Sequence, residues 1–504
     1  MPASSGFKLE EMKPNFREIR RYPLVEPFAS AIIAEDEETG ELMYYLVEQS
    51  LTKKENEVYN AIYKLVMMEL PPPADIKKLE NPRNVLSREI KRILDRYRGL
   101  IRGTKIDLNK MAYHMEKDLL GFGPIDAIMK DENIEDISAD GVGAPIFIFH
   151  KDYETIPTNI VPMDAQALDD FVSKLIHMAG KHVSVAAPIV DAQLPDGSRI
   201  AITYKQEVSP GGSTFTIRKF KATPITFTQL IQSHNISPEI AAYFWLMLDN
   251  HKSFLVLGVT GAGKTTFLNA MATFLRPNLK IITVEEVPEV RLPHKNWIRL
   301  TPRLSFGPEK TNEVTLFDLV KATLRMRPDY LIVGEVRGEE TYVLFQAVNT
   351  GHGGVSTMHA EDFTAAINRL TSPPMNVPKA YIPAMNIFVM VRRVRVGERL
   401  TRRVTEVGEV QSADEVRTVF RWDPKNDVHV LSGQSFLLRE IAETTGQDEE
   451  ELEEELRRRT RVINWMVEKN MMDFHEVARM IERYYTKPEK VLAEVEGIAE
   501  VETT

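Results

Sequence analysis

The sequence contains no cysteine, carries no excess of basic residues, and has no long uncharged apolar run. Without cysteine, disulfides, thiolate metal sites and a cysteine nucleophile are excluded. Asp and Glu number 73 against 63 Lys and Arg, a formal charge of −10, whereas a protein that coats nucleic acid should be basic. No stretch reaches the roughly 18 to 20 apolar residues that span a bilayer. The first residues mix both charge signs without an apolar region, so we expect no secretory signal.

The composition is that of a folded protein. Of the 504 residues, 43% are hydrophobic and 27% are charged, which are ordinary values for a globular chain. At roughly 150 residues per domain, this length suggests about three domains, or two with helical appendages.

The pattern of apolar residues divides the chain into five parts. We predict an N-terminal extension over 1–107, an α+β N-terminal domain over 108–218, a linker over 219–226, an α/β core over 227–434 and a helical C-terminal region over 435–504. In the core, short apolar strands alternate with helices, which predicts an α/β fold whose parallel sheet is covered by helices on both faces.

A phosphate-binding motif lies between the predicted strand Phe254–Leu257 and a helix that begins at Lys264. It matches the P-loop pattern in full: its glycines let backbone N–H groups point into one concavity, and the helix N-terminus adds partial positive charge. Lys264 can reach the β- and γ-phosphates, and the Thr265 hydroxyl suits Mg²⁺. We therefore predict ATP and Mg²⁺ as cofactors. The predicted nucleotide-binding residues are Gly258, Val259, Thr260, Gly261, Ala262, Gly263, Lys264, Thr265 and Thr266.

Two acidic side chains follow apolar strands of the core. Glu335 comes after the predicted strand Tyr330–Val333, at the edge where open α/β sheets place ligands, and we predict that it helps to hold Mg²⁺ and water. Glu285 follows another strand and could orient the attacking water and accept its proton. Glu289 is the alternative base, and either acid could instead be a surface residue of a loop.

Two histidines, His352 and His359, stand seven residues apart in a glycine-containing segment. They could in principle share a metal, but no third ligand is evident, and the glycine run predicts a tight loop. A loop that senses the γ-phosphate or a neighbouring subunit is the better interpretation.

These motifs occur in an order that resembles the type II/type IV secretion ATPase superfamily, which includes traffic, pilus and archaeal motor ATPases. In chain order they are the P-loop Gly258–Thr265, the acidic box Thr283–Glu289, the segment Leu324–Glu335 and the His box Thr350–Ala360. The resemblance covers about residues 110 to 411 and is greatest to an archaeal GspE-like secretion ATPase. Two features depart from it. Glu286 stands where the family more often has Asp, and the tetracysteine zinc module of bacterial GspE is absent.

The resemblance implies a RecA-like core, a homohexameric ring, and ATP bound between the N-terminal domain and the core. Arg199 and Arg218 match the family's N-terminal arginines, which approach the phosphates when the domains close. Physically, a mobile guanidinium would stabilise transition-state charge only in the closed state. In this interpretation His352 and His359 relay the nucleotide state.

We therefore predict a cytoplasmic, Mg²⁺-dependent ATPase at the cytoplasmic face of a membrane. It would power a type II secretion or type IV pilus-like machine through a polytopic platform protein. An archaellum motor ATPase is the alternative. A nucleic-acid translocase with the same core is disfavoured by the net charge of −10 and by the His box, so no nucleic acid is expected as a partner. A nucleotide-gated binding protein without turnover stays open, because a P-loop alone does not guarantee hydrolysis.

Overall fold

The computed structural model describes residues 6–69, 82–96, 107–220, 223–303, 313–397 and 399–497. The chain divides into two compact units, Met1–Ala222 and Thr223–Thr504, and each is described by itself. Of the predicted linker 219–226, residues 221 and 222 lie outside the described part of the chain.

The first unit begins with a small antiparallel sheet and three helices. The strands are β2 (Phe16–Val25), β3 (Ala29–Asp36) and β4 (Leu42–Glu48), with β3 in the middle. The helices span Lys53–Glu69, Pro82–Arg96 and Leu108–Leu119. The third begins where the Asp107 side chain accepts hydrogen bonds from the first N–H groups of the helix, which have no partner within the helix itself.

A six-stranded antiparallel sheet forms the larger part of this unit. Its order is β7 (Glu154–Pro157), β6 (Phe147–His150), β5 (Ile134–Ala139), β11 (Thr214–Arg218), β10 (Arg199–Thr203) and β9 (Ile189–Gln193). A short helix spans Asp126–Met129, and β1 (Phe7–Leu9) pairs with β8 (Ile160–Pro162). The helix Ala165–Met178 packs on one face, where Ile200 and Ile202 of β10 are buried, while Arg199 points to the exposed face.

The predicted extension and the predicted N-terminal domain share one hydrophobic core. Ile33 and Tyr44 of the extension belong to the same buried cluster as Ile137 and Phe215 of the six-stranded sheet. The division at residue 107 stays a prediction.

The second unit is built on a nine-stranded sheet within the described residues. Its order is β14 (Trp297–Leu300), β13 (Ile281–Val284), β15 (Tyr330–Val333), β16 (Gly353–Met358), β12 (Phe254–Leu257), β17 (Ile387–Val396), β18 (Arg399–Val410), β19 (Val416–Asp423) and β20 (Val428–Leu431). The strands from β14 to β17 are parallel, and β17 to β20 are antiparallel. The predicted parallel core is therefore confirmed, and the antiparallel extension of the sheet was not predicted.

Helices cover both faces of this sheet. Strand β12 is fully buried, and its residues alternate between two cores: Phe254 and Val256 face one, Leu255 and Leu257 the other. Burial on both faces explains why the strand is a continuous apolar run. The covering helices are Phe227–Gln232, Pro238–Asp249, Lys264–Ala272, Leu316–Thr323, Glu340–Asn349 and Phe363–Thr371.

The C-terminal helices are part of this unit's core. They span Phe436–Thr445, Glu449–Glu468, Phe474–Thr486 and Pro488–Val495. The buried Trp245 donates its indole N–H to the Tyr485 hydroxyl at 3.0 Å, and the buried Arg459 pairs with Asp249 at 2.6 Å. Among the described residues, no helix is both long and apolar enough to cross a membrane.

Candidate nucleotide site

The predicted phosphate loop joins strand β12 to the helix Lys264–Ala272. Its backbone requires glycine in two places. Gly258 packs so closely that an added Cβ would lie 2.3 Å from the Val391 carbonyl oxygen, and Gly263, with φ +96°, precedes the helix. At these glycines the loop therefore has bare backbone beside a helix N-terminus.

Lys264 is buried at the base of this loop. Its Nζ donates to the Val259 carbonyl oxygen at 3.1 Å and lies 3.5 Å from Nδ1 of His359. Thr265 and Thr266 occupy the first turn of the helix and are half-buried. The loop lysine is thus held beside the loop, where a phosphate would bind.

His359 and Glu335 meet because strands β15 and β16 are neighbours that end at the same edge. Glu335 Oε1 lies 3.0 Å from Nε2 of His359. That oxygen is shielded from solvent and makes no hydrogen bond within the described residues. The His359 ring therefore stands between Lys264 and Glu335, one ring nitrogen facing each.

Glu285 is buried at the end of the adjacent strand β13. Its Oε1 accepts hydrogen bonds from the backbone N–H groups of Glu289 and Val290, both at 2.9 Å. Burial raises the pKa of Glu285 to about 7, and the two N–H donors only partly offset this effect. The predicted alternative base, Glu289, is exposed.

The acidic box also contains an ion pair that sequence reasoning missed. Glu286, at the position where Asp is commoner, pairs with Arg337, which follows strand β15. The Arg337 N–H in turn donates to Glu340 Oε1 at 2.8 Å. Residues after two adjacent strands are thereby connected at the carboxyl edge.

The predicted loop around the histidines is wrong. Gly353–Met358 is the buried strand β16, paired with β12 and β15. His352 precedes this strand and His359 follows it, so the strand separates them by roughly 20 Å. The structure therefore brings His359 to the phosphate loop and does not bring His352 there within this chain, and it excludes a metal shared by the two.

His352 instead lines a cleft of about 330 Å³ at the amino edge of the sheet, with His251, Arg327, Asp329 and Thr350 among its neighbours. Its Nδ1 lies 3.1 Å from the Ala347 carbonyl oxygen.

Arg199 and Arg218 belong to the first unit. They stand directly opposite each other on the antiparallel strands β10 and β11, and both are exposed. Arg199 Nη2 lies 3.8 Å from Asp191 Oδ1, and Arg218 stands opposite Asp136 on β5. Two guanidinium groups thus lie side by side on the exposed face of this sheet, each of them near a carboxylate.

Sequence reasoning also missed Arg402, whose Nε donates to the Gly261 carbonyl oxygen of the phosphate loop at 2.9 Å. The signal that points to it is the density of arginines between 392 and 403.

A phosphate loop between a central parallel strand and a helix, with acidic residues at the ends of neighbouring strands, defines a P-loop ATPase with a RecA-like core. The chain belongs to the type II/IV secretion system protein family, whose model matches residues 120–474. It is a secretion ATPase, and the predicted family, enzyme class and fold class are confirmed.

Individual relatives differ in how much of the chain they match. The uncharacterized protein MJ0900 of Methanocaldococcus jannaschii is 37% identical over 508 residues, covering 95% of this chain and 91% of that protein. The type IV secretion system protein PtlH of Bordetella pertussis is 30% identical over 255 residues, covering 44% of this chain and 74% of PtlH. Among solved structures, the Legionella pneumophila ATPase DotB is 16% identical with a TM-score of 0.41, covering 73% of this chain and 92% of DotB.

Proposed function

We propose that this ATPase is a homohexameric ring that powers a membrane-embedded type II secretion or type IV pilus-like assembly machine. It would act from the cytoplasmic face through a polytopic platform protein. The observation that carries the proposal is the His359 ring, which stands between the loop lysine Lys264 and the carboxylate of Glu335. This arrangement can respond to a phosphate at the loop. The net charge of −10 favours a protein partner over nucleic acid.

The residues at the carboxyl edge fit Mg²⁺. Glu335 contributes a shielded oxygen without a hydrogen bond, and Thr265 contributes a hydroxyl in the first turn of the helix, both of them hard oxygen donors. Within the described ranges there is no cluster of three or more His, Asp or Glu side chains that would hold a metal by itself. Mg²⁺ usually keeps several waters and shares phosphate oxygens, so two protein groups suffice. When bound, the ion would supply neutralisation of phosphate charge.

The side chains of this chain divide the chemistry among them. Lys264 binds the β- and γ-phosphates, and Glu335 orients the water. Glu285 accepts the proton of the water, because a pKa of about 7 suits a general base at neutral pH. His359 transmits the state of the phosphate to the carboxylate. A relay through His352 would have to run through a neighbouring subunit at the amino edge.

Arg199 and Arg218 would act from the first unit when the units close over the nucleotide. Their support is the exposed, directly opposed pair of guanidinium groups. A bound phosphate would accept charge-assisted hydrogen bonds from them and couple closure to hydrolysis. An unchanged hydrolysis rate after replacing both by Ala would contradict this role.

Steady-state phosphate release by the full chain tests the proposal. The wild type should hydrolyse ATP in the presence of Mg²⁺. Its molar mass by light scattering should be about six times the chain mass of 57.5 kDa. Glu335→Gln keeps the shape and removes the charge, so it should bind ATP while turnover falls by roughly 100-fold or more. ATP binding without turnover by the wild type would indicate a nucleotide-gated binding protein. Loss of binding in Glu335→Gln would make the residue structural.

A further inference from the structure

The hairpin of β17 and β18 extends past the carboxyl edge of the sheet. Strand β12 pairs with β17 only through Ile387–Met390, so Val391–Val396 continues beside the phosphate loop together with the first part of β18. In this extension Arg393 stands directly opposite Arg402. We refer to these two side chains as the arginine pair.

The arginine pair lies against the phosphate loop. Besides the hydrogen bond from Arg402 Nε to Gly261, the Arg402 Cδ lies 3.3 Å from where a Cβ on Gly263 would be. Arg393 Nη1 lies 4.0 Å from the corresponding position on Gly261. Both guanidinium groups therefore approach the loop at Gly261 and Gly263, where the loop itself has no side chain to cover the backbone.

A second cross-strand pair of arginines in this hairpin, Arg392 and Arg403, has a different environment. Arg403, opposite Arg392, is buried and makes two hydrogen bonds of 2.8 Å to the carboxylate of Asp427. That carboxylate compensates the charge of Arg403. The arginine pair faces the phosphate loop, on which Lys264 and the helix N-terminus also lie, and such a set of cationic groups is a suitable environment for a polyphosphate.

The strand order determines which phosphates are near. It runs β15, β16, β12, β17, so Glu335 and His359 lie on one side of the phosphate loop and the arginine pair on the other. The transferred phosphate must lie on the side of the water-activating carboxylates. We propose that the arginine pair is a second phosphate subsite within the core, which binds the phosphates that remain in ADP. This inference rests on the proposed binding of ATP at the P-loop.

Titration of fluorescent ADP and of a non-hydrolysable ATP analogue into the full chain tests the assignment. Arg402→Ala and Arg393→Ala should each lower the affinity for ADP and for the ATP analogue by the same factor, about 10-fold or more. Each substitution removes a charge-assisted contact with the phosphates. Arg399→Ala is the matched control. It removes one charge from the same hairpin at an exposed position opposite Val396, and it should change affinity by less than about 2-fold.

Two further readouts separate binding from folding. Arg402→Lys should recover part of the lost affinity, since it keeps the charge but not the planar fork. The change in kcat should be smaller than the change in nucleotide affinity. Unchanged affinity for ADP, or a loss confined to the ATP analogue, would overturn the assignment. If affinity is unchanged in this way while the wild type hydrolyses ATP in the phosphate-release assay, only this inference fails and the proposed function stands.

Discussion

Each edge of the nine-stranded sheet carries a histidine near a cationic side chain, but only the histidine at the carboxyl edge lies beside the phosphate loop. At the carboxyl edge, His359 lies 3.5 Å from Lys264 and 3.0 Å from Glu335. At the amino edge, His352 lines a cleft with Arg327. Strand β16 connects the two histidines, so a single motif delivers one to each edge. The end of the strand at which a residue lies, and not its type, decides whether it can act on a nucleotide at the P-loop.

The backbone differs between the edges as well. The phosphate loop uses glycine where φ is positive, at Gly261 and Gly263 with +73° and +96°. The amino-edge cleft places His251 and Arg327 at φ +57° and +51°, a conformation that costs residues with a Cβ roughly 1 kcal/mol or more. In the phosphate loop these positive-φ positions carry no side chain, whereas in the amino-edge cleft two of them carry large side chains.

The largest expected difference between the edges is in turnover. Lys264→Ala removes the charge over the phosphates and should lower steady-state ATP hydrolysis by ~1000-fold or more, to an undetectable rate. Arg327→Ala removes one positive charge from the amino edge and should change the rate by less than about 3-fold. If Lys264→Ala kept more than about half of the wild-type rate, the P-loop assignment would be wrong.

The two histidines provide a matched pair for a smaller effect. His359→Ala removes the ring between Lys264 and Glu335, and kcat should fall about 100-fold, the scale of a lost acid–base or positioning group. His352→Ala should lower kcat by less than about 3-fold in the same phosphate-release assay, since the strand holds it roughly 20 Å away. Equal losses would show that the edges act together, as they would if neighbouring subunits met at His352.

The phosphate loop and the position of Glu335 could be predicted because both are local. The strand Phe254–Leu257, the glycine turn and the helix Lys264–Ala272 follow one another directly in the chain, and a carboxylate after a parallel strand must lie at the carboxyl edge. The strand β16 could not be predicted, because its glycines favoured a turn. They serve close packing instead: a Cβ on Gly353 would lie 2.5 Å from the Tyr330 ring, and one on Gly354 would lie 2.2 Å from Val348.

Contacts between distant parts of the chain also escaped the sequence. Arg402 and Gly261 are 141 residues apart. Their contact depends on the register of the antiparallel hairpin, which no local sequence pattern predicts. The buried pair of Arg459 and Asp249 joins residues 210 apart. In both cases the residue types were visible and the partner was not.

The smallest expected difference concerns stability against pH. Burial raises the pKa of Glu285 to about 7 from an ordinary value of 4.5. Below pH 4.5 the carboxyl is protonated in both states. Between pH 4.5 and 7 the unfolded chain releases its proton while the folded chain keeps it, so this group's contribution to stability is lost as the pH rises through that window.

Glu285→Gln keeps an oxygen to accept the two backbone N–H groups and cannot ionise, so it should remove this pH dependence. Relative to the wild type, its free energy of unfolding should rise by about 2 kcal/mol between pH 4.5 and pH 8, once relaxation around the buried charge is allowed for. Urea unfolding of the second unit at both pH values measures this difference. Asp329→Asn removes an exposed carboxylate at the amino edge and is the control, which should show at most a few tenths of a kcal/mol. Glu285→Gln should also lose the rise in kcat through pH 7 that a base at Glu285 produces. A pH-independent difference in stability would show that the buried carboxyl is not protonated near neutrality, and the proposed base would then lack its poised pKa.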